Sequence, residues 1–128
     1  MPKLPLVPGQ LIVVYVTLTG PRTQRTVKMA LDTGATHTLI PFEVALGLEL
    51  DPAASRRRMD IVTASGTLFA PVVRIPTLQL IGQTLQDVEV VCHDLPPNSP
   101  VAGLLGLDVL SHFNLRLAFL RRSLELTR

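Results

Sequence analysis

Short runs of aliphatic residues, many of them β-branched, lie between Gly and Pro residues along most of this 128-residue chain. Each run has the length and composition of a β-strand, and the Gly and Pro residues mark turns. The pattern predicts strands over 11–18, 26–31, 59–64, 67–75, 78–81, 85–91, 102–105, 115–120 and 123–126, and short helices over 42–46 and 107–112. Many short strands with two short helices predict an all-β domain, either a small barrel or a sandwich.

The length of the chain indicates a single domain, residues 1–128. Apolar residues make up 47% of the chain but aromatic residues only 4%, so the apolar surplus is aliphatic. Two interpretations of this surplus stay open. It either forms a dense β core or includes apolar surface that a subunit interface covers.

Charge and cysteine content restrict the classes of partner and compartment. A net charge of +2 is too small to indicate nucleic-acid binding, and no aromatic residue interrupts the one dense basic run, Arg56 to Arg58. Cys92 is the only cysteine, which fits a reducing compartment. The first residues lack the apolar core of a signal peptide, and no apolar stretch is long enough to span a membrane. We therefore expect a cytoplasmic protein with no membrane span and no nucleic-acid partner.

The sequence contains a single Asp-Thr-Gly tripeptide, Asp32-Thr33-Gly34, directly after a predicted strand and followed by Ala35. Alone, such a tripeptide is typical of a β-turn, because Asp and Gly both favour turns. Its context is more informative. Apolar residues precede it, and Pro41, which suits the first position of a helix, follows it.

Two further segments follow the tripeptide in a fixed order. A predicted hairpin turns at Ser65 and Gly66, and the segment Leu104-Leu105-Gly106 precedes the second short helix. Taken together over residues 11–120, these features resemble the retropepsin family of aspartic proteases. The resemblance implies a small closed β-barrel, in which the hairpin is a flap over the active site. It also implies that the apolar-apolar-Gly segment supports the catalytic loop from behind.

The same resemblance implies an aspartic endopeptidase that cleaves a peptide or protein substrate as a homodimer. The chain has one catalytic Asp32, so a two-fold axis must supply the partner's Asp32. Two carboxyl groups so close cannot both be ionised; the ionised one accepts a proton from a water, and the neutral one donates to the substrate carbonyl. In this family, the hydroxyl at Thr33 bonds across the dimer axis. Gly34 allows close backbone approach, and Ala35 lies under the substrate. The mechanism needs no metal and no cofactor.

The chain departs from the viral retropepsins in two respects. Thr36 and Leu107 stand where the viral proteases usually carry an acid and an Arg that form an ion pair. The flap has one Gly near its tip, Ala64 to Thr67, where viral flaps are Gly-rich. The chain also differs from the single-chain pepsins, which carry a flap Tyr, because its only Tyr is Tyr15 in the first strand. We therefore expect closer kinship with cellular or bacterial members. The terminal strand 123–126 either interleaves with the partner's strand or closes the subunit's own sheet.

Other interpretations of the same residues stay open. A retropepsin-like dimerisation or peptide-binding module with little turnover is our alternative function. The three His residues and Cys92 lack the spacing of a metal site, and Cys92 is expected to be a buried apolar residue, not a catalytic thiol. Asp108 is expected to cap or anchor the second short helix, and Asp60 to be a surface or turn acid.

Overall fold

The computed structural model describes residues 3–6, 9–63 and 65–128. These residues form ten strands and two short α-helices, and a single 3-10 turn (Pro52–Ala54) follows the first helix. The strands are β1 (Lys3–Pro5), β2 (Val13–Thr19), β3 (Gln24–Leu31), β4 (Leu39–Ile40), β5 (Arg58–Thr63), β6 (Gly66–Leu80), β7 (Gln83–Cys92), β8 (Gly103–Leu105), β9 (Asn114–Ala118) and β10 (Ser123–Thr127). The helices are α1 (Phe42–Gly47) and α2 (Leu107–Leu110).

Six of these strands close into a barrel. Their order is β2-β3-β8-β4-β7-β6, and β6 pairs back onto β2 from Leu80 opposite Val16 to Thr77 opposite Thr19. Closure leaves this ring without an open edge, so its backbone groups are paired around the whole circumference. β5 lies outside the ring, against the first half of β6. The predicted all-β closed barrel with two short helices is confirmed.

The barrel interior is filled by alternate residues of its strands, because successive side chains of a strand point to opposite faces. In β2, Val14, Val16 and Leu18 are buried, whereas Tyr15 between them is 62% exposed. The aliphatic surplus of the sequence therefore builds a dense core. Its other fully buried large members include Met29, Ile40, Leu48, Ile75, Leu78, Leu105 and Val90.

β6 corrects one expectation, that a strand ends at Pro76. It continues through Pro76, and its ladder with β7 resumes on both sides. Pro76 has no N–H to donate, and Asp87 opposite it has a left-handed φ of 52°. The ladder therefore omits this one pair without ending. The first half of β6 carries β5, and the second half closes the barrel on β2.

The terminal strands form a small separate sheet in the order β1-β10-β9. β10 is its central strand, and Leu124 and Leu126 of β10 are fully buried. Within the subunit, β10 thus pairs with β1 on one side and with β9 on the other. Strands β1 and β4 were not predicted. Their three and two residues are too short to show periodicity, and only their pairing partners make them strands.

Candidate active site

Asp32 lies where β3 ends and a tight turn begins. Its backbone N–H donates to the carbonyl of Leu105 at 2.9 Å, which continues the ladder one residue beyond Leu31. The N–H of Gly34 donates to Asp32 Oδ1 at 2.9 Å, and that of Ala35 donates to the Asp32 carbonyl at 3.2 Å. The half-buried carboxylate is therefore fixed through one oxygen. Within residues 3–6, 9–63 and 65–128, no group donates a hydrogen bond to Oδ2.

The predicted supporting segment, Leu104-Leu105-Gly106, lies directly behind this turn. β8 pairs in parallel with the last residues of β3, and Leu105 is fully buried. Just beyond, the N–H of Leu107 donates to the carbonyl of Ala35 at 2.8 Å. The turn that carries Asp32 is thus held from behind by backbone hydrogen bonds on both sides of Gly106.

A buried polar contact that the sequence did not indicate joins the Asp32 turn to α2. Thr38 is fully buried, and its N–H donates to both carboxylate oxygens of Asp108 at 3.0 Å. The Thr38 hydroxyl donates to Asp108 Oδ1 at 2.6 Å and accepts from the N–H of Gly106 at 3.0 Å. Asp108 Oδ1 also accepts from the N–H of Val109 at 2.8 Å. One carboxylate therefore satisfies donors from two distant segments.

Asp108 consequently anchors α2 and does not cap it. The N-cap position belongs to Gly106, which offers no side chain, and Asp108 stands in the first turn. The signal that could have identified Thr38 is a hydroxyl residue next to the apolar pair Leu39-Ile40. A polar side chain beside a strand this buried needs a partner, because an unpaired buried hydroxyl costs free energy.

Asp32 lines a groove of about 500 Å³. The Asp32 turn, the residues after it and strand β5 of the β5–β6 hairpin line this groove together. Within β5, Ile61 is buried while Val62 is 86% exposed. Asp60 is exposed, as expected of a surface acid, but it also lines the groove. The lining residues are Asp32, Gly34, Ala35, Thr36, His37, Leu39, Asp60, Ile61, Val62 and Leu104. Sequence reasoning missed His37, Leu39, Ile61 and Val62 as groove residues.

The remaining predicted site residues lie around this groove. Thr33 is exposed on the turn beside Asp32. Ser65 and Gly66 lie at the end of the β5–β6 hairpin, beyond the groove's lining residues, and Gly66 has a left-handed φ of 126°. Glycine adopts that conformation without strain, which suits a hairpin turn. Ala64, part of the expected flap tip, lies outside the described residues.

Comparison with known proteins assigns the chain to a family. A family model described as aspartyl protease matches residues 14–109, which include the Asp32 turn, the β5–β6 hairpin and the segment Leu104-Leu105-Gly106. The chain belongs to the aspartyl protease family. A comparison with curated protein sequences finds no match.

Solved structures show that this aspartyl protease family member has a retropepsin-like fold. A retropepsin-like aspartic protease from Rickettsia conorii superposes with a TM-score of 0.72 at 18% identity, covering 97% of this chain and 87% of that one. The EIAV protease in complex with the inhibitor HBY-793 superposes with a TM-score of 0.64 at 16% identity, covering 85% of this chain and 93% of that one. The predicted retropepsin-like family is confirmed.

The two positions that lack the viral ion pair are connected through the backbone in this family member. The N–H of Leu107 donates to the carbonyl of Ala35, and the N–H of Asp108 donates to the carbonyl of Thr36 at 3.2 Å. Thr36 and Leu107 are both uncharged. Thr36 is exposed and Leu107 is 43% exposed, so the missing ion pair leaves no buried charge at either position. Backbone hydrogen bonds thus join the two loops at these positions.

Gly106 is required sterically at the crossing of these two loops. A Cβ at this position would lie 2.6 Å from the carbonyl carbon of His37 and 2.7 Å from its oxygen. It would also lie 2.8 Å from the carbonyl oxygen of Ala35. All three atoms belong to the backbone, so the clash cannot be relieved by turning a side chain.

We expect Gly106→Ala to lower the free energy of unfolding by about 1–3 kcal/mol, because the added methyl group must push the Asp32 loop away from α2. Denaturant unfolding measures this change. Ser111→Ala, at an exposed position just after α2, serves as the control and should change stability by less than about 0.5 kcal/mol. Equal stability of Gly106→Ala and the unmodified protein would contradict the proposed close packing.

The described part of the chain contains no group of three or more His, Cys, Asp or Glu residues that could hold a metal ion. Over the same residues, no helix combines the length and apolar character needed to cross a membrane. His37 contributes to the groove wall, and Cys92 is fully buried in the barrel core.

Cys92 is an apolar core residue, as the sequence predicted. Burial raises the pKa of its thiol from 9.0 to about 11, and the nearby Asp94 carboxylate adds to the rise. A thiol with so high a pKa carries almost no thiolate near neutral pH, and the thiolate is the nucleophile. Cys92 is therefore unsuited to a catalytic role.

The raised pKa of Cys92 predicts a loss of stability in alkali. Below about pH 9 the thiol is protonated in both states and contributes nothing to the pH dependence. Between about pH 9 and pH 11 the unfolded chain releases the proton and the folded chain keeps it, so the free energy of unfolding falls by up to about 3 kcal/mol. Denaturant unfolding across this range should show a shallower decline for Cys92→Ala. Identical slopes for the two proteins would refute the assignment.

Proposed function

We propose that this family member is an aspartic endopeptidase, active as a homodimer, that hydrolyses peptide bonds with one Asp32 from each subunit. The observation that carries the proposal is the position of the Asp32 carboxylate. Its Oδ1 accepts a hydrogen bond from the N–H of Gly34, and Asp32 lines a groove of about 500 Å³. Extended peptides fit grooves of this kind, and a carboxylate is the group that activates a water for attack.

The other predicted residues have supporting roles in this proposal. Thr33, which is exposed beside Asp32, bonds across the dimer axis to the same residue of the second subunit. Gly34 and Ala35 shape the groove floor under the substrate backbone. Leu104 lines the groove, while Leu105 and Gly106 hold the turn from behind.

The β5–β6 hairpin is proposed as the flap. Its strand β5 lines the groove opposite the Asp32 turn, so a small inward motion of the hairpin would cover a bound peptide. Ser65 and Gly66 lie at the end of the hairpin that would reach farthest over the substrate. The EIAV protease, whose fold is similar, holds the inhibitor HBY-793. We propose that the same groove in this chain accepts that inhibitor.

Catalysis in the proposed dimer divides between the two carboxyl groups. Like charges at such short range cannot both be present, so the pair holds one proton. The ionised Asp32 accepts a proton from the water, and the water oxygen attacks the peptide carbonyl carbon. The protonated Asp32 donates its proton to the carbonyl oxygen. Collapse of the resulting diol breaks the C–N bond, with a proton passing to the leaving amine.

Cleavage of a mixed peptide library, analysed by mass spectrometry from acid to neutral pH, tests the proposed activity. A dimeric enzyme should show activity per chain that rises with protein concentration and then levels off. Mixing the unmodified chain with an excess of Asp32→Asn should lower the activity, because mixed dimers contain one Asp32 only. Activity that is independent of concentration and of mixing would contradict the shared site.

A protein that is dimeric by sedimentation yet cleaves no peptide at any pH would favour the alternative function, a peptide-binding module. In that case, retention of library peptides by the unmodified chain would define the binding preference. The homodimer, a cytoplasmic location and the absence of a nucleic-acid partner stay predictions.

A further inference from the structure

The hairpin between β9 and β10 ends in an apolar tip that the fold leaves uncovered. Leu120 is 101% exposed and Phe119 is 63% exposed, and Arg121 and Arg122 beside them are exposed as well. We call residues 119–122 the β9–β10 tip. Among the described large apolar side chains, Leu120 has the highest exposed fraction. Neither apolar side chain therefore contributes to the core of its own subunit.

The β9–β10 tip has a defined conformation. The N–H of Arg122 donates to the carbonyl of Phe119 at 3.1 Å, and the N–H of Leu6 donates to the carbonyl of Arg122 at 2.8 Å. Below the tip, Leu124 of β10 is fully buried. The hairpin thus presents its apolar end from a firmly packed base, so little conformational freedom is lost when the tip binds a partner.

Positive charge is concentrated on the same hairpin. Residues 114–128 contain four Arg and one Glu, a net charge of +3, whereas the whole chain carries +2. The rest of the chain is therefore slightly acidic. Arg128 is used internally, since its guanidinium lies 5.3 Å from the ring of Phe113 and donates to the carbonyl of Thr84 at 2.6 Å. Arg121 and Arg122 extend from the tip itself.

We propose that the β9–β10 tip docks this protein on the surface of an anionic lipid bilayer. Phe119 and Leu120 would enter the boundary between headgroups and acyl chains, which removes their apolar surface from water. Arg121 and Arg122 would stay at the level of the headgroups and contact anionic phosphates. The apolar pair thus matches the apolar boundary of the bilayer, and the two cations that follow it match the anionic headgroups. A dimer would present two tips, which strengthens weak individual contacts.

Co-sedimentation with phosphatidylcholine vesicles, with and without phosphatidylglycerol, tests the docking. We expect at least tenfold stronger binding to the anionic vesicles, because each Arg near such a surface contributes about fivefold. Added salt should weaken the binding. Equal binding to both kinds of vesicle, or no binding to either, would overturn the proposal.

Two tip variants separate the apolar and the charged contributions. Phe119→Ser combined with Leu120→Ser, and Arg121→Gln combined with Arg122→Asn, should each reduce anionic vesicle binding at least tenfold. Asn suits position 122 because φ there is 53°. The control combines Leu46→Ser and Arg56→Gln, an exposed apolar residue and an exposed Arg elsewhere on the surface, and should bind as the unmodified protein does. Thermal unfolding verifies that all variants are folded.

Other occupants of the tip predict different results. Tip variants that bind vesicles normally but sediment as smaller species would assign the tip to a second copy of the chain and overturn the proposal. Loss of binding in the Arg variant alone would indicate adsorption without insertion, and would also overturn it.

Because the chain has no Trp, Leu120→Trp adds a single probe whose emission should shift to shorter wavelength with anionic vesicles. An unshifted emission would contradict insertion. None of these measurements depends on peptide cleavage, so they test the docking separately from the proposed peptidase activity.

Discussion

Asp32→Asn is expected to reduce the rate of peptide cleavage by at least about a thousandfold, the range in which a single acid–base group contributes to catalysis. The amide is nearly isosteric with the carboxyl group and can still accept from the N–H of Gly34, so the turn should keep its shape. It cannot accept a proton from water. The two proteins are compared by their initial rates of cleavage of the library peptide that the unmodified protein cleaves fastest. The protein concentration is high enough that activity per chain no longer rises with it.

Asp87→Asn is the matched control for this loss. It removes the same charge from an exposed acid that does not line the Asp32 groove. Asn also tolerates the left-handed φ of 52° at that position. The control should retain activity within about twofold. If Asp32→Asn cleaved as fast as the control, Asp32 would not be the catalytic group.

Asp108→Ala is expected to lower the free energy of unfolding by about 3 kcal/mol, because hydrogen bonds to a charged group are strong and buried donors left unpaired are costly. The substitution removes the acceptor for the N–H and the hydroxyl of Thr38 and for the N–H of Val109. The expected fall in the melting temperature is about 10 °C for a domain of this size. Activity should fall as well, since the same contact holds α2 against the segment that follows Asp32.

A double-mutant cycle with Thr38→Val distinguishes a shared contact from two separate effects. Thr38→Val removes the hydroxyl, and in its presence Asp108→Ala should cost at least about 1 kcal/mol less than it does alone. Asp94→Ala is the control, because its carboxylate accepts from the N–H of Phe42, away from this contact. Additive losses for Thr38→Val and Asp108→Ala would show that the two residues are not energetically coupled.

The sequence predicted the strands whose alternation is regular. In β3 the predicted alternation places Val27 and Met29 on one face, and both are buried. Such a pattern is local, so it is visible without knowledge of the partner strands. The continuous apolar run 11–18 predicted a strand buried on both faces, and this prediction is wrong, because Tyr15 of β2 is 62% exposed. A turn at Gly82-Gln83 was also predicted, because Gly marks it, and the observed turn lies one residue earlier, at Ile81-Gly82. The order of Asp32-Thr33-Gly34, the flap hairpin and Leu104-Leu105-Gly106 was sufficient for the family, since each segment has a recognisable composition.

Other features depend on contacts between distant residues. Pro76 was expected to end a strand, but its neighbours on β7 and β2 keep the backbone extended on both sides of it. The two-residue strand β4 exists only because β7 and β8 pair with it. The groove role of Asp60 was missed for the same reason, since β5 is placed opposite the Asp32 turn by the fold and not by its own sequence.

By itself, the sequence determined the residue types and their periodicity, and therefore the all-β class, the family and the position of Asp32 at a strand end. Only the tertiary structure decided how the barrel closes from β6 onto β2, that β10 pairs with both β1 and β9 of its own subunit, and that Thr38 and Asp108 share one buried contact. The physical reason is the range of the interactions. Side-chain alternation and turn preferences act between neighbours in the chain, whereas strand pairing and buried hydrogen bonds join segments that only the completed fold brings together.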